Sequence, residues 1–283
     1  MRCLVVGANG MLGQDMVSVL RARGHEVVPA DRDELDITDA SSAASVVSDV
    51  DVVVNCAAWT AVDDAETLEG AAFSVNAVGP ANLARAAKDA GARLVQISTD
   101  YVFGGDAAAP YGEDDPIRPG SAYGRTKAAG EWAVRAGTDD YLVVRTAWLY
   151  GSGGACFPKT MVKLLADRET LSVVDDQVGQ PTWTVDLAEL VARLLEAGAP
   201  SGTYHGTASG QTSWWGFARA AVEAAGLDAE RIQPTDSTGF VRPAPRPAYS
   251  VLGHDALTAV GIEPIGEWSD RWAAAAASVL RAG

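Results

Sequence analysis

The sequence predicts an α/β protein with a doubly wound parallel sheet and a smaller C-terminal domain. Two observations support this fold class. Short apolar runs typical of buried strands alternate with longer helix-like segments through the first half of the chain. The first run, 3–6, leads into a turn with glycine at every third position, Gly7, Gly10 and Gly13, before a helix begins. Such a turn leaves room for a phosphate group against free helix N–H groups, as in Rossmann-like folds.

The alternation of strands and helices can be followed along the first half of the chain. After the glycine turn, the apolar periodicity predicts a helix that ends before Gly24, a suitable C-cap. We predict strands at 3–6, 26–29, 51–55 and 93–98. We predict helices at 11–23, at 65–90 with an interruption near Gly79 and Pro80, and through 123–127.

The second half of the chain begins with a change in composition. The glycine-rich segment 151–154 is typical of a linker or a mobile loop. Beyond it we predict helices at 157–167, 185–196 and 214–225, a strand at 171–174, a loop at 177–181 and an extended proline-rich connector at 241–247.

The end of the second strand carries the residues that would choose a dinucleotide. Asp31 lies about 20 positions beyond the glycine turn, where an acidic residue would bond the adenine ribose 2′-hydroxyl of NAD. Its neighbour Arg32 would accommodate the 2′-phosphate of NADP. Because both side chains are present, the sequence leaves NADPH and NADH open. Farther on, the small residues Ala57 and Ala58 follow the third strand and allow close approach of a flat cofactor.

The chemistry is predicted from Tyr123 and Lys127, which stand four positions apart and therefore share one helix face. A positive charge close to a phenol favours the phenolate, so Lys127 is expected to lower the Tyr123 pKa and to make it a general acid. Thr99 ends a predicted strand, where ligands bind in open α/β sheets. Its hydroxyl would hydrogen-bond a substrate carbonyl.

Composition narrows the possible partners and surroundings. The formal charge is −15 without a run of basic residues, which makes a nucleic-acid polymer or an anionic membrane a poor partner. No targeting segment or apolar stretch of spanning length is visible, so we expect a cytoplasmic protein. Three widely spaced cysteines suggest free thiols in a reducing compartment. The three histidines are far apart in sequence, and no metal site is predicted.

These motifs occur in the order found in one family. They are Gly7-x-x-Gly10-x-x-Gly13, Asn55-Cys-Ala-Ala-Trp-Thr-Ala-Val-Asp63, Ser98-Thr-Asp-Tyr-Val-Phe103, Tyr123-Gly-Arg-Thr-Lys127 with Ala129-Gly-Glu131, Arg145-Thr-Ala-Trp148 and Asp176-Gln-Val-Gly-Gln-Pro-Thr182. Nearly the whole chain resembles the dTDP-4-dehydrorhamnose reductases, which are nucleotide-sugar ketoreductases among the extended short-chain dehydrogenase/reductases.

The resemblance implies a role for each matching residue. Thr99 would hydrogen-bond the C4 ketone, Tyr123 would protonate the developing alkoxide, and Lys127 would hold the nicotinamide ribose. Implied substrate contacts are Val62, Asp63, Thr99, Tyr101 and Trp148. Implied cofactor contacts, besides Tyr123 and Lys127, are Gly7, Asn9, Gly10, Met11, Leu12, Gly13, Asp31, Arg32, Asp36, Ile37, Ala57 and Ala58. The substrate would be a dTDP-4-keto-6-deoxyhexose, and the protein a monomer or a homodimer.

The same resemblance predicts how the chain divides. Residues 1–150 would form a Rossmann-like NAD(P)-binding domain, rejoined by about 183–200 and 235–260. A smaller C-terminal substrate-binding domain would consist of 151–182, about 201–234 and 261–283. Within the connector, Arg242 and Arg246 are candidates to contact the diphosphate of a nucleotide sugar.

Alternative functions remain at this point. Dehydratases of the wider superfamily have a Glu after the Thr-Asp pair, where this chain has Tyr101, so a reductase is favoured. The leading hypothesis is reduction of dTDP-4-dehydro-6-deoxy-L-mannose to dTDP-L-rhamnose. A 4-ketoreductase for another dTDP-deoxysugar would have nearly identical motifs. A non-catalytic regulatory subunit that binds NADP is a further alternative, against which the joint presence of Thr99, Tyr123 and Lys127 argues.

Overall fold

The computed structural model describes residues 1–281. The strands are, in chain order, β1 (Arg2–Val6), β2 (Glu26–Ala30), β3 (Val52–Asn55), β4 (Arg93–Thr99), β5 (Tyr141–Thr146), β6 (Leu149–Tyr150), β7 (Leu171–Val174), β8 (Val178–Gly179), β9 (Thr182–Trp183), β10 (Gly202–His205), β11 (Ala208–Ser209), β12 (Thr212–Ser213), β13 (Ile232–Thr235) and β14 (Ile265–Glu267). The helices are α1 (Met11–Ala22), α2 (Ala40–Val46), α3 (Val62–Ala65), α4 (Glu69–Phe73), α5 (Gly79–Ala90), α6 (Ala122–Gly137), α7 (Phe157–Asp167), α8 (Thr184–Glu196), α9 (Trp214–Ala224), α10 (Asp255–Ala259) and α11 (Trp268–Arg281).

A six-stranded sheet with the order β10-β5-β4-β3-β1-β2 forms the centre of the molecule. All of its neighbouring strands run parallel. Because side chains alternate along a strand, both faces are apolar: Val5 and Val54 point to one face, and Leu4 and Val53 to the other. Helices α1 and α8 cover the first face, and α2 and α5 cover the second. The predicted doubly wound parallel sheet is confirmed.

The edge strand β10 differs from the predicted division of the chain. Residues 201–234 were assigned to the smaller domain, whereas β10 pairs in parallel with β5, from Gly202 opposite Leu142 to His205 opposite Arg145. The predicted segment 261–283 extends to Ala282 and Gly283, which lie outside the described residues.

A second group of elements packs beside the large sheet. It contains α7, α9 and α11, together with the parallel pair β7 and β13. Its core is aromatic: Tyr150 contacts Phe217 and Trp272 at ring-centroid distances of 5.4 and 5.3 Å. Burial of such large rings gives this small unit a core of its own.

The predicted helix over 65–90 is divided in the structure. After α4, residues Ser74–Val78 form a π-helical turn, and α5 follows directly at Gly79 with Pro80 in its first turn. The turn directs Asn76 inward, where it accepts from Trp59 N at 2.8 Å and donates to Thr126 Oγ1 at 3.0 Å. This amide therefore ties the segment before α3 to α6.

Within residues 1–281, no helix is long and apolar enough to cross a membrane. All three cysteines of the chain are free thiols.

Candidate active site

The glycine turn between β1 and α1 has a backbone that other residues would disrupt. Gly7 has φ +75°, and a Cβ there would lie 2.7 Å from Ala57 N. A Cβ at Gly13 would lie 2.0 Å from the Gly7 carbonyl oxygen. Helix α1 begins after Gly10 without a side-chain cap, so its first N–H groups remain available to an anion.

Asp31 lies against this turn at the end of β2. One carboxylate oxygen accepts from Asn9 N at 2.9 Å and the other from Arg32 N at 2.8 Å. Asp31 thus braces the glycine turn in addition to lining the neighbouring cavity. Asn9 itself is not among the residues that line this cavity.

Two cavities meet at the glycine turn. The first, called the glycine-loop cavity, has a volume of about 380 Å³. Of the predicted cofactor residues, it is lined by Gly7, Gly10, Asp31, Arg32, Asp36, Ile37, Ala57 and Ala58. The second, called the Tyr123 cavity, has a volume of about 540 Å³. Of the predicted site residues, it is lined by Gly10, Met11, Leu12, Gly13, Ala58, Val62, Thr99, Tyr101, Tyr123, Lys127 and Trp148. The cavities share Gly10, Cys56 and Ala58, so a dinucleotide can extend from one into the other.

Thr99 and Tyr123 face each other inside the second cavity. Thr99 ends β4, and Tyr123 stands in the first turn of α6, whose N-cap Ser121 accepts from Gly124 N. Both residues are buried, at 6% and 9% exposure. The hydroxyl of Thr99 is close enough to the Tyr123 phenol to favour its ionised form. The structure therefore brings together the strand end and the helix face that the motifs singled out separately.

The prediction that Lys127 lowers the Tyr123 pKa is wrong for this structure. Burial raises the pKa of the phenol to about 12, the hydrogen bond with Thr99 partly offsets this rise, and the charge of Asp100 adds to it. Lys127 is not among the groups that shift it. Desolvation disfavours the charged phenolate, so Tyr123 holds its proton throughout the neutral range.

Lys127 is directed toward β4. Its ammonium group donates to the Ile97 carbonyl at 2.7 Å and is 4% exposed. Burial lowers its pKa to about 8, against the opposing charge of Glu131. Glu131, one helical turn farther along α6, is thus the anion that helps to keep this lysine charged.

A stacked pair of indoles forms one wall of the Tyr123 cavity. Trp148 has φ +46°, which is rare for a bulky residue, and its ring stacks on Trp214 at 3.6 Å with an interplanar angle of 10°. Sequence reasoning named Trp214 only as the start of a helix. The signal for its role was available only in three dimensions, because α9 belongs to the smaller unit.

A third cavity, called the outer cavity, adjoins the Tyr123 cavity and has a volume of about 380 Å³. The two share Tyr101 and Trp214, and the outer cavity is also lined by Phe240, Arg242 and Arg246.

Asp63 is the one predicted substrate residue that lines neither the Tyr123 cavity nor the outer cavity. Its carboxylate instead forms an ion pair with Arg246 at 2.9 Å and accepts from Ala244 N at 3.2 Å. It therefore holds the proline-rich connector against α3.

A metal site receives no support from this geometry. Within the described part of the chain, no three His, Cys, Asp or Glu residues are grouped so that they could hold an ion.

Comparisons with known proteins identify the family of the chain. The family model described as "RmlD substrate binding domain" matches residues 1–281. The chain is 48% identical over 274 residues to a dTDP-4-dehydrorhamnose reductase of Streptomyces griseus, covering 94% of this chain and 90% of that protein. It is also 48% identical over 271 residues to a dTDP-4-keto-6-deoxy-D-glucose reductase of Streptomyces niveus, covering 95% and 94%.

A solved structure adds the fold to this likeness. The dTDP-4-dehydrorhamnose reductase of Bacillus anthracis, in complex with NADP, superposes with a TM-score of 0.93 at 37% identity and covers 97% of this chain and 98% of that one. The family predicted from the motifs is confirmed by these matches. The chain belongs to the RmlD substrate binding domain family.

Proposed function

We propose that the protein reduces the C4 ketone of dTDP-4-dehydro-6-deoxy-L-mannose to give dTDP-L-rhamnose, with NADPH or NADH as cofactor. The observation that carries this proposal is that the glycine-loop cavity and the Tyr123 cavity share Gly10, Cys56 and Ala58 in their walls. A dinucleotide whose phosphates lie on the uncapped N-terminus of α1 would reach the hydroxyls of Thr99 and Tyr123.

The residues of the glycine-loop cavity suit such a cofactor. A Cβ at Gly7 or Gly13 would collide with the backbone of Ala57 or of Gly7, so the tight turn that opens α1 requires glycine at both positions. Arg32 lines the cavity beside Asp31, whose two oxygens are already engaged by backbone N–H groups. When bound there, NADPH or NADH supplies a hydride to C4 of the sugar.

The chain's own residues would handle the oxygen at C4. Thr99 would hydrogen-bond the ketone, and Tyr123, which is protonated throughout the neutral range, would give its phenolic proton as the oxygen gains charge. Lys127 would hold the nicotinamide ribose. Val62 and the Trp148–Trp214 stack offer an apolar wall that suits the methyl group of a 6-deoxy sugar.

The outer cavity would take the nucleotide part of the substrate. It is lined by the apolar side chains of Phe157, Met161 and Phe240 and by two guanidinium groups. Arg246 is the better diphosphate candidate, because it is 20% exposed against 51% for Arg242. Replacement of Arg246 by Ala should raise the substrate KM, and an unchanged KM would remove this residue from the proposal.

A second candidate function is reduction of a different dTDP-deoxysugar at C4. The equal identity of the chain to the Streptomyces niveus protein, named a dTDP-4-keto-6-deoxy-D-glucose reductase, favours keeping it. That substrate differs in configuration and not in its reacting ketone, so Thr99 and Tyr123 would act in the same way.

One experiment distinguishes the two candidate functions. NADPH and NADH absorbance is followed with purified protein and dTDP-4-keto-6-deoxyglucose, with and without a 3,5-epimerase. Turnover that requires the epimerase and yields dTDP-rhamnose supports the leading proposal. Turnover without it supports the second candidate. No turnover under either condition would contradict both and favour a non-catalytic, NADP-binding protein.

A further inference from the structure

Asp100 is a buried carboxyl group that the proposed reduction leaves without a role. It follows Thr99, lines the Tyr123 cavity and is 3% exposed. Thr99 Oγ1 donates to Asp100 Oδ1 at 2.9 Å. Among residues 1–281, Asp100 Oδ2 and Ser250 Oγ are both buried without a well-formed hydrogen bond. The Ser250 hydroxyl is still close enough to stabilise the carboxylate. A buried carboxyl so placed calls for an explanation.

The hydrogen bonds around Thr99 show what the carboxylate form does. A threonine hydroxyl has one hydrogen and two lone pairs. One lone pair accepts from Tyr101 N at 3.2 Å, and the hydrogen goes to Asp100 Oδ1. The one remaining lone pair is the only group of this hydroxyl that is left to accept from the nearby Tyr123 phenol. With Asp100 ionised, Thr99 therefore has no hydrogen left for a substrate, and the Tyr123 hydrogen is directed to Thr99.

Protonation of Asp100 changes these hydrogen bonds. A protonated Asp100 becomes the donor, and the Thr99 hydroxyl rotates so that a lone pair faces Asp100 Oδ1 and its hydrogen faces the cavity. The Thr99 hydrogen is released from Asp100, and the Tyr123 hydrogen is released from Thr99. Both are then free to point at a single oxygen atom in the Tyr123 cavity, the arrangement that stabilises a carbonyl as it gains negative charge.

We propose that Asp100 is a positioning residue that works as a neutral acid and turns the hydroxyl hydrogens of Thr99 and Tyr123 toward the substrate ketone. This inference rests on the proposed function. Asp100 forms no bond to the substrate and keeps its proton: the hydride comes from the cofactor, and the proton that neutralises the alkoxide comes from Tyr123.

The surroundings of Asp100 favour its neutral form. Burial raises its pKa to about 6, and the hydrogen bonds from Ser250 and Thr99 oppose that rise. The largest causes of this shift include no basic side chain.

The titratable groups nearby belong to several elements. Tyr101 on the same turn and Tyr123 on α6 both have pKa values raised mainly by burial and further by the charge of Asp100. Lys127 lines the same cavity. Arg246 and Asp63 act on Tyr101. A bound substrate ketone that needs both hydrogens would raise the Asp100 pKa further, since linkage favours the state that binds.

The test uses the whole protein and the pH dependence of kcat/KM with the 4-keto sugar. In the wild type, kcat/KM should fall about tenfold per pH unit above the Asp100 pKa. The side chain in Asp100→Asn cannot titrate, so this descending limb of the pH profile should be absent. A limb that arises from Lys127 should remain. Ser250→Ala removes a group that stabilises the carboxylate, so the limb should move to higher pH.

A matched control comes from Asp15, which also has a pKa raised by burial and also pairs with a threonine, Thr184, but lies outside the Tyr123 cavity. Asp15→Asn should keep the wild-type limb. If the pH profile of Asp100→Asn keeps this limb, or if Ser250→Ala does not move it to higher pH, the proposal is overturned. Cofactor binding and the melting temperature verify that each variant is folded.

An infrared titration separates this proposal from the proposed function. In the wild type, the carbonyl band of the neutral Asp100 should disappear as the pH rises; this component should be missing from the spectrum of Asp100→Asn and retained in that of Asp15→Asn. If no 4-keto sugar is reduced, the proposed function fails, and this band still reports whether Asp100 is neutral. If the sugar is reduced and the band is not found, the role of Asp100 is overturned and the proposed function stands.

Discussion

Arg145 and Glu131 form a bidentate ion pair inside the protein, with Nε to Oε1 and Nη2 to Oε2 each at 2.9 Å and side-chain exposures of 1% and 0%. Ser98 donates to Glu131 Oε1 at 2.6 Å, and Arg145 Nη1 lies 3.4 Å from His205 Nε2. Burial alone would raise the Glu131 pKa, but hydrogen bonds and charge from Arg145 lower it on balance. The pair joins β4, β5, β10 and α6 behind the Tyr123 cavity.

Replacing Glu131 by Gln should destabilise the protein strongly, because it leaves the Arg145 charge buried and unpaired. We expect a loss of about 3 to 5 kcal/mol in the free energy of unfolding, measured by urea denaturation. The exposed pair Arg118–Asp106, at 70% and 64% exposure, provides the control: Asp106→Asn should cost about 1 kcal/mol or less. Equal effects of the two substitutions would contradict a structural role for the buried pair.

Replacing Tyr123 by Phe should remove the proton donor and leave the cavity intact. We expect kcat to fall by about 10² to 10⁴, while cofactor affinity, measured by fluorescence quenching, stays unchanged. Tyr141→Phe is the matched control and should retain turnover, because Tyr141 lies at the N-terminal end of β5 and outside the Tyr123 cavity. Near-normal kcat in Tyr123→Phe would exclude this residue as the acid.

Replacing Lys127 by Met should change how stability depends on pH. Folding lowers the lysine pKa from 10.5 to about 8, so between these values the unfolded chain holds more protons at this group. The free energy of unfolding therefore rises with pH across that window. For a buried group with this shift the gain is on the order of 3 kcal/mol.

Urea denaturation of the wild type and of Lys127→Met at pH 7.5 and at pH 10 measures this difference. The wild type should gain stability relative to the variant at the higher pH. A constant difference between the two proteins would show that Lys127 keeps an ordinary pKa in the folded state.

Replacing Gly7 by Ala should impair both folding and cofactor binding. The new Cβ would meet Ala57 N at 2.7 Å and would also sit at φ +75°. Gly24 has φ +82° with nothing within 4 Å, so Gly24→Ala isolates the backbone strain of about 1 to 2 kcal/mol. Gly7→Ala should cost more than this in urea denaturation and weaken cofactor affinity. Equal costs, with affinity retained, would contradict the close packing of the turn.

Replacing Arg32 by Ala should reveal the cofactor preference. A guanidinium group at this position would pair with a 2′-phosphate, so the KM for NADPH should rise while the KM for NADH stays the same. The matched control is Arg21→Ala on α1, outside the glycine-loop cavity. If Arg32→Ala changes neither KM, its side chain is not the discriminating group.

The sequence predicted the parts of the site whose signal is local. Strand ends at Asn55 and Thr99 and the glycine turn carry their own signatures in residue type and spacing, and the structure brings the turn and Thr99 to one pair of adjoining cavities. The helix face of Tyr123 and Lys127 was predictable for the same reason, since a spacing of four fixes a common face.

The parts that were missed depend on burial and on partners distant in sequence. The shift in the Tyr123 pKa follows from burial, which no spacing reports, and so its direction was predicted wrongly. Trp214 reaches the site through its stack on Trp148, 66 positions earlier in the chain. Placement of β10 at the sheet edge likewise depends on pairing with β5, because a four-residue strand has too little pattern to reveal its neighbour.

The position of β10 has a consequence for how the molecule can be divided. The chain leaves the large sheet after β5, builds β6 to β9 and the helices α7 and α8, and returns to supply the strand beside β5. A fragment that stops at Tyr150 would lack β10, so β5 would become an unpaired edge strand that can pair with another chain and aggregate. The large sheet and the smaller unit beside it are therefore expected to unfold in one cooperative transition. Truncation of the chain should not yield either of them as an independently folded domain.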